Sequence, residues 1–206
     1  MRLSILNIRK TPEDKFWEWF SAKSDEFYHL EKNQNQLLND LSHRFQKFHK
    51  NLTFQFSKVK ANGKKEFVIS ADGFKEIIPC VMKLVDKAPK FAKWDIVAFR
   101  PRHKDFNEIQ LNLIKLAKDD IYFKEVNEGD KTGLKLYIKN YNESDNSYIA
   151  AAFILLDSTI GEYDVMTQIG SITFSVLSDN DKKNLKRLNE LPELIDAKKS
   201  TTTDIN

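Results

Sequence analysis

The stretch SYIAAAFILLDSTIGEYDVMTQIGSITFSVL, Ser147 to Leu177, decides how this chain is to be read. Tyr148 to Leu156 runs without a polar residue. A run of that kind, closed by a turn and a strand, is a buried element that the rest of the fold must cover. Asp145 or Ser147 supplies an N-cap for a helix reaching about Ile160, and Gly161 is a natural C-cap. GEYD then reads as a polar, acidic turn, and Ile169 to Val176 as a strand.

Working towards the N-terminus, Asp120–Val126 and Leu134–Lys139 are strands joined by a Glu128-Gly129-Asp130 turn. The order over 119–177 is therefore β-β-α-β. The same order is legible over 51–102. Leu52, Phe54 and Phe56 alternate with polar residues, Asn62-Gly63 signals a type I′ turn, and Glu66–Ala71 returns. Asp72-Gly73 breaks that strand. Phe74, Ile77, Ile78, Val81, Met82 and Val85 fit a helix over about 74–87, in which Pro79 marks either a kink or a later start. Trp94–Phe99 is the third strand, closed by Arg100-Pro101-Arg102. Residues 103–118 read as a connector with one strand, Glu108 to Leu113.

These elements predict an α+β fold: one mainly antiparallel sheet made by two ββαβ-type units, with helices packed on one face. The likeness between the halves is one of architecture, an internal repeat without residue identity. Ahead of them, residues 11–49 form a helix or a helix pair. Thr11 caps it, Pro12 occupies its first position, and Phe16, Trp17, Phe20, Phe27 and Leu30 recur at helical spacing. Glu31 to Gln36 marks a bend or a wet face. Residues 181–196, with leucines at 185, 188, 191 and 194, form a C-terminal strap. Residues 197–206 read as a disordered tail. No low-complexity linker divides the chain, so a single domain is expected over 1–196.

Composition bounds the function. The apolar fraction is 41% and the charged fraction 31%, with 15 Phe, which is globular and rich in core rings. The net charge of +3 lacks the one-sided basic field of a nucleic-acid binder. Cys80, the single cysteine, stands in the apolar run IIPCVM; it excludes an internal disulfide and reads as a small core residue. The N-terminal MRLSILNIRK lacks the pattern of a signal peptide, and no apolar run is long enough to span a membrane, which points to the cytoplasm. His29, His43, His49 and His103 do not pair at metal-ligand spacing. The chain contains no phosphate loop, dinucleotide fingerprint or nucleophile elbow, so no cofactor or metal is expected.

Two groups of residues can carry chemistry. Asp157 sits at the C-terminal end of an apolar helix, where the helix dipole opposes its charge, and Glu162 and Asp164 follow closely. Arg100 and Arg102 flank a proline and are suited to grip a carboxylate or phosphate, with Trp17 and Trp94 available to line a pocket. The competing account is an internal salt bridge from an Arg to Asp157 or Glu162, with GEYD a plain turn.

The segments FWEWF, EFVISA, WDIVAFRPR and LLDSTIGEYD together resemble a family of bacterial proteins of unknown function. That resemblance covers residues 16 to 177 and implies an α+β, ferredoxin-like domain, with no activity attached to any residue.

Two functions follow as expectations. The absence of a catalytic constellation and the aromatic, amphipathic N-terminal helix point to a non-enzymatic binding or regulatory domain, acting on a protein partner or as a homo-oligomer. The alternative is a small-molecule binder or enzyme with a pocket formed by Arg100, Arg102, Asp157 and Glu162.

Overall fold

The first helix starts where its sequence dictates. Thr11 Oγ1 accepts from the Asp14 N–H at 3.2 Å and the Asp14 carboxylate accepts from the Thr11 N–H at 2.8 Å, a reciprocal capping box. The computed structural model describes residues 9–30 and 35–203. The lead-in 1–8 and most of the polar segment read as a bend fall outside them. Contacts divide the chain, expected from its sequence as one domain over 1–196, into two compact units, one ending at Phe99 and the other starting at Arg100. Each is described by itself.

The first unit contains α1 (Pro12–Tyr28), α2 (Asn35–Gln46), β1 (Thr53–Phe56), β2 (Lys65–Ser70), α3 (Ile78–Asp86) and β3 (Trp94–Ala98). β1 is antiparallel to β2, and β3 returns parallel to β2 on its other side. Phe16, Trp17, Phe20 and Phe27 of α1 are all buried and meet Phe67 of β2, Phe45 of α2 and Trp94 of β3 in one aromatic core. The indole of Trp17 donates to Leu84 O at 2.7 Å, so this buried ring also satisfies its polar atom. The aromatic stripe that suggested a surface for a partner is therefore core. Trp17 and Trp94 are part of that core too.

Two local readings change. Asn62-Gly63 does not make a type I′ turn, because Gly63 alone has positive φ. The Gly63 N–H donates to Lys60 O and the Lys60 N–H to Lys64 O, so the turn is longer and the glycine takes its left-handed position. Pro79 does not kink a helix: a 3₁₀ turn covers Lys75–Ile77, and α3 begins at Ile78, placing Pro79 in its first turn, where no N–H is needed. Cys80 is half-buried on α3, less enclosed than expected, and burial pushes its thiol up, away from the reactive thiolate.

The second unit contains β4 (Glu108–Leu111), β5 (Ile114–Ala117), β6 (Ile121–Glu128), β7 (Lys131–Ile138), α4 (Asn146–Ile160), α5 (Glu162–Gln168), β8 (Ile169–Val176), β9 (Lys186–Arg187) and α6 (Leu191–Thr203). The connector predicted to hold one strand holds a hairpin. Asn112 adopts φ 54° and turns the chain, leaving Leu113 fully exposed while Ile114 and Leu116 point inward. β6 and β7 are antiparallel, and β8 runs parallel to β7 after α4 and α5. Both stretches read as ββαβ thus take that order and the same pairing. The α+β architecture is as read, with the strands of the described residues divided among three sheets of three, two and four strands in place of one. Each ββαβ set closes on a core of its own. In the second unit α4 lays Ala151, Ala152, Leu155, Leu156 and Ile160 against Phe123, Leu134 and Leu136 of the sheet.

The stretch after Asp181 is better ordered than its composition predicts. Lys186–Arg187 pairs with β6, and Leu188, Leu191 and Ile195 enter the same core. The residues read as a disordered tail from 197 continue α6 as far as Thr203. Pro192 stands in the first turn of that helix, and the Leu191–Ile195 spacing of one turn keeps its buried face in register.

A bulge interrupts the β7–β8 ladder between Ile169 and Ile172. Glu128, at the end of β6, reaches across β7 to accept from the Ser171 N–H at 2.9 Å and from the Ser171 hydroxyl. Those bonds hold its carboxyl below the usual carboxylate range. The reach is open because Gly133 and Gly170 lack side chains: a Cβ on either would run into the Glu128 carboxylate.

A salt-bridged corner as the candidate functional site

All five residues singled out from sequence lie in the second unit and converge on one corner, where α4 ends and α5 begins. The segment Arg100–His103 runs along this corner and completes it. The last turn of an α-helix leaves carbonyls without intrahelical partners. Here the His103 N–H donates to Ser158 O at 2.7 Å and Arg102 Nε to Ile160 O at 2.8 Å. The start of α5 is met as well: the Glu162 N–H donates to Arg100 O, and the Glu162 carboxylate accepts from the Arg100 N–H, both at 2.9 Å. Arg102 also places its positive charge where the dipole of α4 is negative.

The side chains then pair. Arg100 donates to Asp157 at 3.1 Å, which offsets the unfavourable position of that carboxylate near a helix C-terminus. Arg102 donates to Asp164 at 2.9 Å and, through both terminal nitrogens, to Asp196 of α6 at 2.7 and 2.8 Å. Lys199 of α6 closes the set on Asp164 at 2.8 and 3.0 Å. Hydrogen bonding to Asp196 pushes the Arg102 guanidinium up, and Arg102 holds the Asp196 carboxyl below its ordinary range. Lys118, also buried, donates to His103 O at 3.3 Å, and burial pushes its ammonium down.

GEYD is thus not a turn. It opens the seven-residue helix α5, with Glu162 and Asp164 buried. The sequence reading also missed Asp196 and Lys199, because it placed one in a strap and the other in a tail. The signal available was Pro192 followed by helical spacing. Gly161 joins the two helices at φ 88°, ψ 141°, a conformation available to glycine and strained for other residues. A Cβ there would meet only Arg102 and Arg100 atoms at 3.6 Å or more, so space is not the constraint. Gly161→Ala should therefore lose about 1–2 kcal/mol through backbone strain alone, seen as a lower urea midpoint with unchanged far-UV circular dichroism.

The corner also fixes a pH dependence. The folded carboxyl of Asp196 is depressed, so its contribution is present above the unfolded value near 4 and is lost as pH falls through the folded one. Urea midpoints should fall from about pH 4 downwards. In Asp196→Asn that fall should be shallower, from a lower starting stability. An equal slope in both proteins would show that Asp196 does not contribute.

Chemically, the corner is a set of opposed charges that satisfy one another. Among the described residues no group of three His, Cys, Asp or Glu side chains is placed to hold a metal ion. No family model matches the chain, and neither a curated protein nor a solved structure does.

Proposed function

We propose that the chain is a non-enzymatic binding or regulatory module, and that its contact surface is the α4–β8 side of the second unit. One observation carries this reading. α4 is apolar nearly all round, and only one side of it enters the core. Phe153 and Ile154 stay 39% and 37% exposed on the other side, and Val176 of β8 is 55% exposed. Phe153 rests edge-on against Phe174 of β8 at 6.0 Å, so helix and strand contribute to one apolar surface. Exposed aromatic surface of this kind is typical of protein contact sites. An intracellular setting suits a chain whose single cysteine is a free thiol.

The reading of the Arg100, Arg102, Asp157 and Glu162 corner as a ligand pocket has the convergence of those residues in its favour. A ligand would have to displace ion pairs that already complete two helix ends. For that reason the corner is better explained as the support that sets α4 at its angle. No helix among the described residues is long and apolar enough to cross a membrane.

The test is a photo-crosslinking amino acid at position 153 in cells that make the protein, with position 47 on exposed α2 surroundings as control. Position 153 is expected to give a discrete crosslinked protein, either another copy or a different chain. Labelling no stronger than the control would remove the reading.

A further inference from the structure

The four-stranded sheet has the order β8–β7–β6–β9, and its two edges are unlike. β9 is two residues long, and both, Lys186 and Arg187, are charged and exposed. A short basic edge resists pairing with another strand. β8 is eight residues long, IGSITFSV, and contains neither a charge nor a proline. Its first half is broken by the bulge between Ile169 and Ile172. From Ile172 to Val176 no such device is present.

The direction of the ladder shows what this half presents. Val176 pairs with Ile138, and the Leu177 N–H donates to Ile138 O at 2.9 Å. In a parallel ladder the peptide groups of alternate residues face opposite sides. Thr173, Ser175 and Leu177 therefore face β7, while Ile172, Phe174 and Val176 turn their N–H and C=O groups outward. Among the described residues no strand lies on that side.

We infer that this edge takes a second copy of the same chain, with β8 antiparallel to β8 about a two-fold axis at Phe174. The inference rests on the binding surface proposed above and names its occupant. The register is self-complementary, as a two-fold contact requires. Phe174 faces Phe174, and Ile172 of each copy faces Val176 of the other, every pair using outward peptide groups. The charge pattern agrees. The strand is uncharged, and Asp179, the first charged residue beyond it, would stand level with Ile169 of the second copy, so no like charges meet. Ile172, Phe174 and Val176 share the face on which Phe153 lies. Pairing therefore brings two Phe153–Phe174 clusters side by side and covers apolar surface that one copy leaves exposed.

The experiment is sedimentation or light scattering of the purified full chain from low micromolar to about 100 μM, the range where a modest interface dissociates. The mass is expected to rise from 24.1 kDa to twice that value. Val176→Lys and Val176→Pro should each hold it at the monomer value with circular dichroism unchanged, because the Val176 N–H does not serve the β7 ladder. A wild type that stays monomeric, or folded variants that still dimerise, overturns the inference. Should both variants fail to fold, Thr173→Cys/Ser175→Cys in a Cys80→Ser background decides. The register sets these positions opposite each other across the axis, within disulfide reach. Absence of an oxidised dimer would overturn the inference. A monomeric wild type whose position 153 crosslinks to a different protein would leave the binding surface standing and remove only the second copy.

Discussion

Phe67→Ala is expected to destabilise the first unit by about 3–5 kcal/mol, the range for deleting a fully buried ring. Phe67 is wholly inaccessible at the centre of the three-stranded sheet, between Phe56 on β1 and Ile96 on β3. Its ring lies 4.7 Å from Phe20, 5.0 Å from Phe56 and 6.0 Å from Phe45. Rings are stiff, and those around Phe67 are themselves locked by further rings and by the Trp17 bond to Leu84. The cavity left by alanine cannot collapse, so the cost belongs at the upper end of the large-to-small series. Phe67→Leu, which leaves part of the volume filled, should lose less than half as much. All three tryptophans, Trp17, Trp19 and Trp94, belong to this unit, so urea unfolding followed by indole fluorescence reads it directly. A change under about 1 kcal/mol would show that the surrounding rings relax into the space.

Arg102→Met should cost the second unit about 2–3 kcal/mol, less than a fully buried pair because the guanidinium is partly exposed. The substitution keeps the aliphatic stem and removes three functions together. Ile160 O loses its donor, Asp164 keeps only Lys199 among these partners, and Asp196 loses both of its bonds to the guanidinium. Arg102→Lys should recover little, since one ammonium cannot reproduce a fork that serves a carbonyl and two carboxylates. A double-mutant cycle with Asp164→Asn, read by circular dichroism in urea, should give a coupling of about 1 kcal/mol or more. Additive effects would mean that the two groups are solvated independently.

What was legible in the sequence was local. The Thr11–Asp14 cap, the alternation through Phe54 and Phe56, and the cap pair Asp145 and Gly161 all depend on residues within a turn or two of each other. They appear where the pattern places them. What was not legible depends on partners distant along the chain. GEYD is short, polar and preceded by glycine, which is the composition of a turn. It becomes helix because Arg100, some sixty residues earlier, supplies the acceptor for its first N–H. Asp196 and Lys199 sit in a polar stretch that gives no sign of Arg102 and Asp164, the partners they meet. The aromatic face of α1 was plain from its spacing, but spacing cannot say whether a fold or a partner covers it. For the candidate site, Asp157 was identifiable as a carboxylate that breaks local rules, Glu162 and Asp164 as its acidic neighbours, and Arg100 and Arg102 as a pair suited to grip an anion. The pairing of Asp157 with Arg100 accounts for the rule it breaks.

The Glu128 reach over Gly133 and Gly170 makes three positions dependent in their sequence history. While position 128 is glutamate, an alanine at 170 expels the carboxylate from Ser171 and opens the bulge. Once position 128 has become shorter, the same alanine meets only the Lys131 Cβ, at 3.4 Å. The order of substitution thus decides whether a change is harmful or silent, and the acceptable path runs through residue 128 first. In a collection of diverged sequences, glycine at 170 should accompany a long acidic side chain at 128 and become dispensable without it, whereas glycine at 133 keeps a second reason, the Val126 Cβ that its own Cβ would meet at 3.0 Å.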